Sequence, residues 1–397
     1  LMNQRKNENL YSILLPFFPI GIIYGFHAIP FLTFSDYILI FVILSKMCLS
    51  RFKLSFSKNF FLLVIYLLIQ PLLLLILSTR SIDFLDAAGT AWRLGLYIFA
   101  ISYLAKDIKK KKFLNSMRFV AIINTIYGFL QYFLGTFAHI SLSPYLPFLP
   151  VLREGLKQVQ DSWIAYDWVV RPRAWFSEPS TFAIFLLLAL SIELLVVPKE
   201  DRKLLLVIAD VFGIIISRSS TGFIGLFVLL LMWMVICPEN FLYNIPKKIL
   251  LGLVCLLPVF ALFLYKGGYI ESFIGHTFVN GQGLSSQTHF VDISAAFKEK
   301  SNVLTVIFGN GMQDVAAGYL PGWIRTYYCL GVTGVFLYIW SFIGVFKLTS
   351  KNGRVIVATF AALNFGTEIM LGVFMLLYMS VAVLSNREEM TKYERNF

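Results

Sequence analysis

Charge is scarce in this chain. Only 14% of its 397 residues are Asp, Glu, Lys or Arg, against 58% hydrophobic, and a mean hydropathy of +0.75 excludes a soluble protein of this length. Cysteine is equally sparse. Cys48, Cys237, Cys255 and Cys329 fall in or beside apolar runs with no CxxC spacing, which excludes a disulfide framework or a zinc site and leaves them as small core residues. Four histidines form no HExxH or paired-His pattern. No P-loop and no GxGxxG after a strand is present, so no nucleotide site is expected. No internal repeat, low-complexity tract or stretch long enough for a separate soluble domain breaks the sequence, which reads as one integral membrane domain over residues 1–397. The net charge of +12 does not mark a nucleic-acid partner, because the basic residues lie in short clusters between apolar runs.

What the chain does have is apolar windows. A spanning helix needs about 20 such residues, and twelve candidates follow: 10–29, 36–50, 59–78, 86–105, 113–135, 178–197, 204–217, 219–236, 248–265, 326–346, 354–366 and 368–385. The expected fold is therefore an all-α, polytopic transmembrane helix bundle. The first run carries Pro16 and Pro19 and lacks a small-residue cleavage site, so it is read as a span and not as a cleaved leader. Every second connection is basic: "RK" at 5–6, "RFKLSFSK", "KDIKKKK", "KEDRK", "PKK", "KLTSKNGR" and the final segment with Arg387, Lys392 and Arg395. By the positive-inside rule that alternation puts both termini in the cytoplasm. The lysine run at 109–112 then serves as an anchor on anionic membrane lipid.

The two sides use basic residues differently. The cytoplasmic set is mostly lysine, whereas Arg80, Arg93, Arg153, Arg171, Arg173, Arg218 and Arg325 lie on the other side. Arginine offers a planar fork of donors matched to phosphate, and lysine a point charge sufficient for topology. Arginine kept outside against the topological bias fits a pyrophosphate-bearing substrate; local pairing with Asp83, Asp86, Glu154, Asp161, Asp167 or Glu178 is the alternative for any one of them. Two long connections, 136–177 and 266–325, also lie outside and are read as functional loops. Their aromatics, among them Tyr145, Trp163, Tyr166, Trp168, Trp175, Tyr269 and Trp323, suit sugar stacking as well as an interfacial belt.

Three stretches bring polar chemistry to apolar helices. In "RPRAWFSEPSTF" Ser177 is placed to cap the sixth helix, and Glu178 and Pro179 suit its first turn; a general base is the other reading of Glu178. "ISRSSTGFIGL" sets Arg218 in a polar turn between two helices. In "FGNGMQDVAAGYLPGWIRTYYCLGVTG" the glycines read as tight turns and close packing before phosphate cradling, while Arg325 at a helix start stands where the dipole disfavours a cation unless an anion is near. Asp210 and Glu368 interrupt apolar runs, where an ionisable group marks either function or hydrogen-bonded packing. No DxD-like acid pair for a divalent metal appears on the outer side.

These features, "RPRAWFSEPSTFA" entering a helix, "SRSSTGFIGL" some forty residues on, "GNG" after a long outer loop and "GVTG" in the next helix, resemble the O-antigen polymerase and ligase superfamily, with its Wzy-type polysaccharide polymerases, over residues 165–385. The resemblance implies a GT-C-like bundle whose outer loops contain short helices. It implies a metal-independent glycosyltransferase without cofactor, moving a growing glycan from an undecaprenyl-diphosphate donor to a lipid-linked repeat unit at the periplasmic face of a bacterial inner membrane, alongside a chain-length-regulating co-polymerase. Arg171, Arg173, Arg218 and Arg325 would bind the diphosphate, Glu178 would take the acceptor proton, and Trp175, Trp163 and Tyr166 would contact glycan. In many members an arginine precedes the glycine pair by about twenty residues; here His289 stands there, so the contact passes to Lys298, Lys300 or Arg325, or His289 is itself the base. "YLPGWIRTYY" lacks the histidine and asparagine frequent in the ligase branch, which tilts the reading to polymerase. A flippase for the same lipid-linked sugars is the competing class.

Overall fold

The computed structural model describes residues 10–26, 32–49, 58–77, 84–152, 170–239, 303–312, 320–367 and 369–385. Among these the chain is all-α, with twelve helices and no sheet. In order they are α1 (Leu10–Gly21), α2 (Phe34–Leu49), α3 (Lys58–Leu77), α4 (Phe84–Leu104) and α5 (Lys110–Phe137). Then come α6 (Pro179–Val196), α7 (Leu204–Ile216), α8 (Ser220–Ile236), α9 (Val303–Phe308), α10 (Gly322–Leu348), α11 (Lys351–Leu363) and α12 (Val373–Ser385). Each expected apolar run except 248–265 meets one of these helices; that run lies outside the described residues, as do Trp163, Tyr166, His289, Lys298, Lys300, Cys255 and Glu368. By length and composition α5, α6 and α10, the last counted across Gly331, are long and apolar enough to cross a bilayer, and α1, Phe60–Ile76 of α3, α7, α8 and α12 are apolar but shorter, which marks a helical membrane protein.

α6 is the centre of the bundle. Its residues Phe182–Ser191 are all buried, as expected of a helix apolar on every side. Small residues let its neighbours approach: a Cβ on Gly222 of α8 would come 2.8 Å from Ala183 Cβ, and one on Gly225 2.6 Å from Leu187 Cδ2. α12 is nearly as deeply buried, and its Tyr378 hydroxyl donates to Ile184 O at 3.0 Å. α5 instead turns a stripe outward, with Phe119, Ile122, Ile126, Phe129, Phe133 and Phe137 exposed. Phe129, Phe133 and Phe137 run ring to ring at 5.9 and 5.1 Å. That stripe is a face for lipid.

Two apolar runs differ from their expected form. α1 stops at Gly21 instead of continuing to 29: Leu15–Phe17 is already 3-10, and Pro16 and Pro19 remove backbone donors that a longer helix needs. The run at 326–346 is not one rod. Gly331 has φ 67° and ψ −172° inside α10, and Trp323 and Phe342, about 28 Å apart along a straight helix, have rings 5.7 Å apart. The chain therefore folds back at Gly331. Opposite the fold, the end of α9 is closed by the "GNG" turn: Asn310 N donates to Tyr328 O at 2.8 Å and Gly311 N to Cys329 O at 3.0 Å. From α3, the Tyr66 hydroxyl donates to Leu330 O at 2.6 Å and lies 3.1 Å from Phe308 O, and Gln70 Nε2 donates to Phe308 O and Cys329 O. Free carbonyls at two helix ends are thus satisfied by side chains, as an apolar medium demands. Of the described cysteines, Cys237 and Cys329 are buried as expected and Cys48 is exposed.

Candidate functional site

The segment 170–178 is held against the Phe137 end of α5 by two primary amides, one heptad apart on one face. Gln131 Oε1 accepts from Ala174 N at 2.8 Å and from Arg173 N at 3.2 Å, and its Nε2 donates to Ala174 O at 3.2 Å. Asn124 Oδ1 accepts from Trp175 N at 3.4 Å. Ala174 takes φ 49°, an uncommon conformation for a residue with a side chain, and is fully buried. Phe176 closes the turn onto Arg173 O and wedges between Phe182 and Phe185, 5.7 and 5.0 Å away. Gln131→Leu is expected to leave buried backbone groups unpaired and to cost about 1–3 kcal/mol, measurable as a lower melting temperature in detergent.

Within this frame Arg173 is 5% exposed. Its guanidinium donates to Ser177 O at 2.6 Å, lies 5.0 Å from the Tyr145 ring centroid and is near enough for its charge to act on the Tyr24 hydroxyl. Tyr24 comes from the N-terminal third. Residues 23–25 pair with 150–152 through an isolated bridge between Tyr24 and Val151, and the Tyr24 hydroxyl accepts from Leu146 N at 2.7 Å. Trp175 is half-buried, its ring 4.9 Å from Tyr127. Arg171 is exposed.

Arg218 reaches the same turn of α5 from the junction of α7 and α8. It has φ 51°, its Nη2 donates to the Tyr132 hydroxyl at 3.4 Å, and its guanidinium is 5.3 Å from that ring's centroid. Gln131 and Tyr132 are neighbours in sequence, so Arg173 and Arg218 flank one turn of one helix. Two of the three described non-glycine residues with positive φ, Ala174 and Arg218, sit at this spot, a kind of backbone strain that collects at functional sites. Arg325 comes from elsewhere: it lies half-buried in the first turn of α10, whose main packing partners are α3, α9 and α11.

Glu178 is the N-cap of α6, one residue later than Ser177, the cap expected from the sequence. Its amide donates to Thr181 Oγ1 at 3.0 Å, and its carboxylate accepts from Ser180 Oγ at 3.0 Å. The carboxylate is exposed at the mouth of the helix, so capping and solvent-facing proton transfer are compatible in one residue. Among the described residues no group of three or more His, Cys, Asp or Glu side chains gathers for a metal. Sequence reasoning missed Gln131, Asn124, Tyr24 and Tyr132. The available signal was the pair of amides at 124 and 131 on an otherwise apolar helix. No family model, curated protein or solved structure matches the chain.

Proposed function

We propose that this chain is a polysaccharide polymerase of the O-antigen or capsule type. It joins lipid-linked repeat units at the periplasmic face of a bacterial inner membrane, as a polytopic bundle of about twelve spans with both termini cytoplasmic. The observation that carries the reading is the pair Arg173, whose backbone is held by Gln131 of α5 and whose guanidinium reaches Ser177 O at the mouth of α6, and Arg218, whose guanidinium reaches Tyr132, the next residue of α5. Two arginine forks beside an apolar helix suit a diphosphate whose lipid stays in the bilayer. An acceptor hydroxyl attacks the anomeric carbon of the undecaprenyl-diphosphate-linked glycan. The bond from that carbon to the diphosphate oxygen breaks, its electron pair leaves with undecaprenyl diphosphate, and the hydroxyl proton passes to Glu178. Arg173 and Arg218, with the exposed Arg171 beside them, offset the charge that grows on the leaving group; Trp175 offers an aromatic face to sugar, with Trp163 and Tyr166 assigned the same task. His289 is the alternative base. A chain-length-regulating co-polymerase is the expected partner.

The test is elongation by the purified protein of undecaprenyl-diphosphate repeat units from its own host, without nucleotide and with chelator, followed as a ladder on a gel. Glu178→Gln is expected to keep the melting temperature close to wild type, because the amide still accepts from Ser180, and to reduce elongation by about 10²–10⁴-fold. Unaltered elongation would restrict Glu178 to capping and move the proton to His289. An absent ladder with verified native substrate would shift the assignment to a ligase-type transferase. One observation favours the flippase reading instead: buried charge at the opposite end of α5, where Arg118, Glu193 and Asp210 meet. Movement of lipid-linked sugar across vesicles, without elongation, distinguishes that case.

A further inference from the structure

At the Lys110 end of α5 a small cleft lies between α5, α6 and α7, lined by Arg118, Glu193 and Asp210 with Met117, Ile192 and Leu206 as apolar walls. It has room for about one water-sized occupant. The last turn of α6, Ile192–Val196, is a π-helix closed by Val197 N donating to Ile192 O at 2.9 Å, a local widening frequent at functional sites. Glu193 sits in that turn, 2% exposed. Arg118 directs its fork at it, Nε to Oε1 at 2.5 Å and Nη2 to Oε2 at 3.1 Å, with a further contact from Nη2 to Asp201 O at 3.3 Å. Glu193 is thereby neutralised and hydrogen-bonded.

Asp210 is not. It is 3% exposed and lines the cleft, yet no hydrogen bond or ion pair from a described residue reaches its carboxylate; the charge that acts on it is that of Glu193. The groups facing it can be followed element by element. α5 presents Arg118, already paired, and α6 presents Glu193. The turn after α6 carries Lys199, Glu200, Asp201 and Arg202, the last donating from Nε to Val197 O. Lys110 donates to Val196 O. α8, which also packs on α7, has no ionisable residue. An anionic carboxylate in such surroundings requires a counter-charge. Glu193 and Arg118 cancel, so an ionised Asp210 would leave one negative charge, and one positive charge in a water-sized space, a proton on the carboxylate included, balances it.

We propose that Asp210 is the anionic ligand of a site for a small monovalent cation, a proton or sodium, with the Arg118–Glu193 pair as its fixed wall. The site is independent of the polymerase reading. It is tested on the purified full-length protein in detergent by thermal unfolding at pH 6 and pH 8.5, with sodium chloride exchanged for choline chloride at constant ionic strength. Wild type is expected to gain about 2–4 °C from sodium at pH 8.5 if sodium is the occupant, or from lower pH in choline if the occupant is the proton. Asp210→Asn, neutral and nearly isosteric, is expected to lose that response. Glu193→Gln is expected to lose it as well, because it releases Arg118 to Asp210. A wild-type protein indifferent to both sodium and pH overturns the site without recourse to any variant, and so does a response retained in Asp210→Asn.

Discussion

Gly331→Ala is expected to yield almost no monodisperse protein after detergent extraction, read by size-exclusion chromatography. At φ 67° and ψ −172° residue 331 occupies a region open essentially to glycine alone, which costs any other residue about 1–3 kcal/mol. A Cβ there would also stand 2.5 Å from Ile307 C and 2.7 Å from Gly309 N, and both are backbone atoms that no rotamer can move aside. The same fold holds Tyr328, Cys329 and Leu330 carbonyls against Asn310, Gly311, Gln70 and Tyr66. Spreading it apart strands those carbonyls in an apolar surrounding, and the costs add across the α9 and α10 ends. Gly309→Ala is expected to behave alike, since residue 309 has φ 81° and its Cβ would run into the Cys329–Leu330 peptide. Gly366→Ala is the control. Nothing lies within 4 Å of its added methyl, so its elution profile should match wild type. A stable, monodisperse Gly331→Ala protein would show that the chain does not turn back at this residue.

That fold marks the boundary of what hydropathy conveys. The run at 178–197 is met by a helix over Pro179–Val196 because its limits are chemical: an acid and a proline start it, and Pro198 follows it. The run at 326–346 has the same apolar content, but a window average contains no φ, so the turn at Gly331 is invisible to it. The "GNG" and "GVTG" glycines were the legible trace, and turning and close approach are the roles they have. The site divides in the same way. Arg173, Arg218 and Glu178 stood out by residue type in an apolar context, and Asp210 did so for the same reason. Their surroundings did not, because each depends on a partner distant in sequence: Gln131 meets Ala174 43 positions later, and Arg118 meets Glu193 75 positions later. Tyr24 reaches the loop wall only because residues 23–25 and 150–152 pair edge to edge, and nothing in the local pattern of either segment announces the other.

Arg173→Ala is expected to lower elongation by about 10²–10³-fold, the usual cost of removing one preorganised donor from developing negative charge, while the protein stays folded. Folding should survive because the backbone of 173–175 is held by Gln131 and Asn124, not by the guanidinium. The side chain's own contacts include a bond to Ser177 O and its approach to Tyr145. Arg173→Lys separates charge from shape. A lysine keeps the positive charge but loses the planar fork, so little recovery is expected if both donors grip a diphosphate, and near-complete recovery if the residue only sets the local potential. Arg218→Ala supplies the second arm of a cycle. If Arg173 and Arg218 hold one leaving group between them, the double variant should be no slower than roughly the worse single one, since residues acting as a unit are strongly non-additive. Multiplying losses would mean that the arginines act on separate steps or separate ligands. A fall in kcat with KM unchanged locates the interaction in the transition state, whereas a rise in KM alone assigns Arg173 to holding the lipid diphosphate before the glycosidic bond breaks.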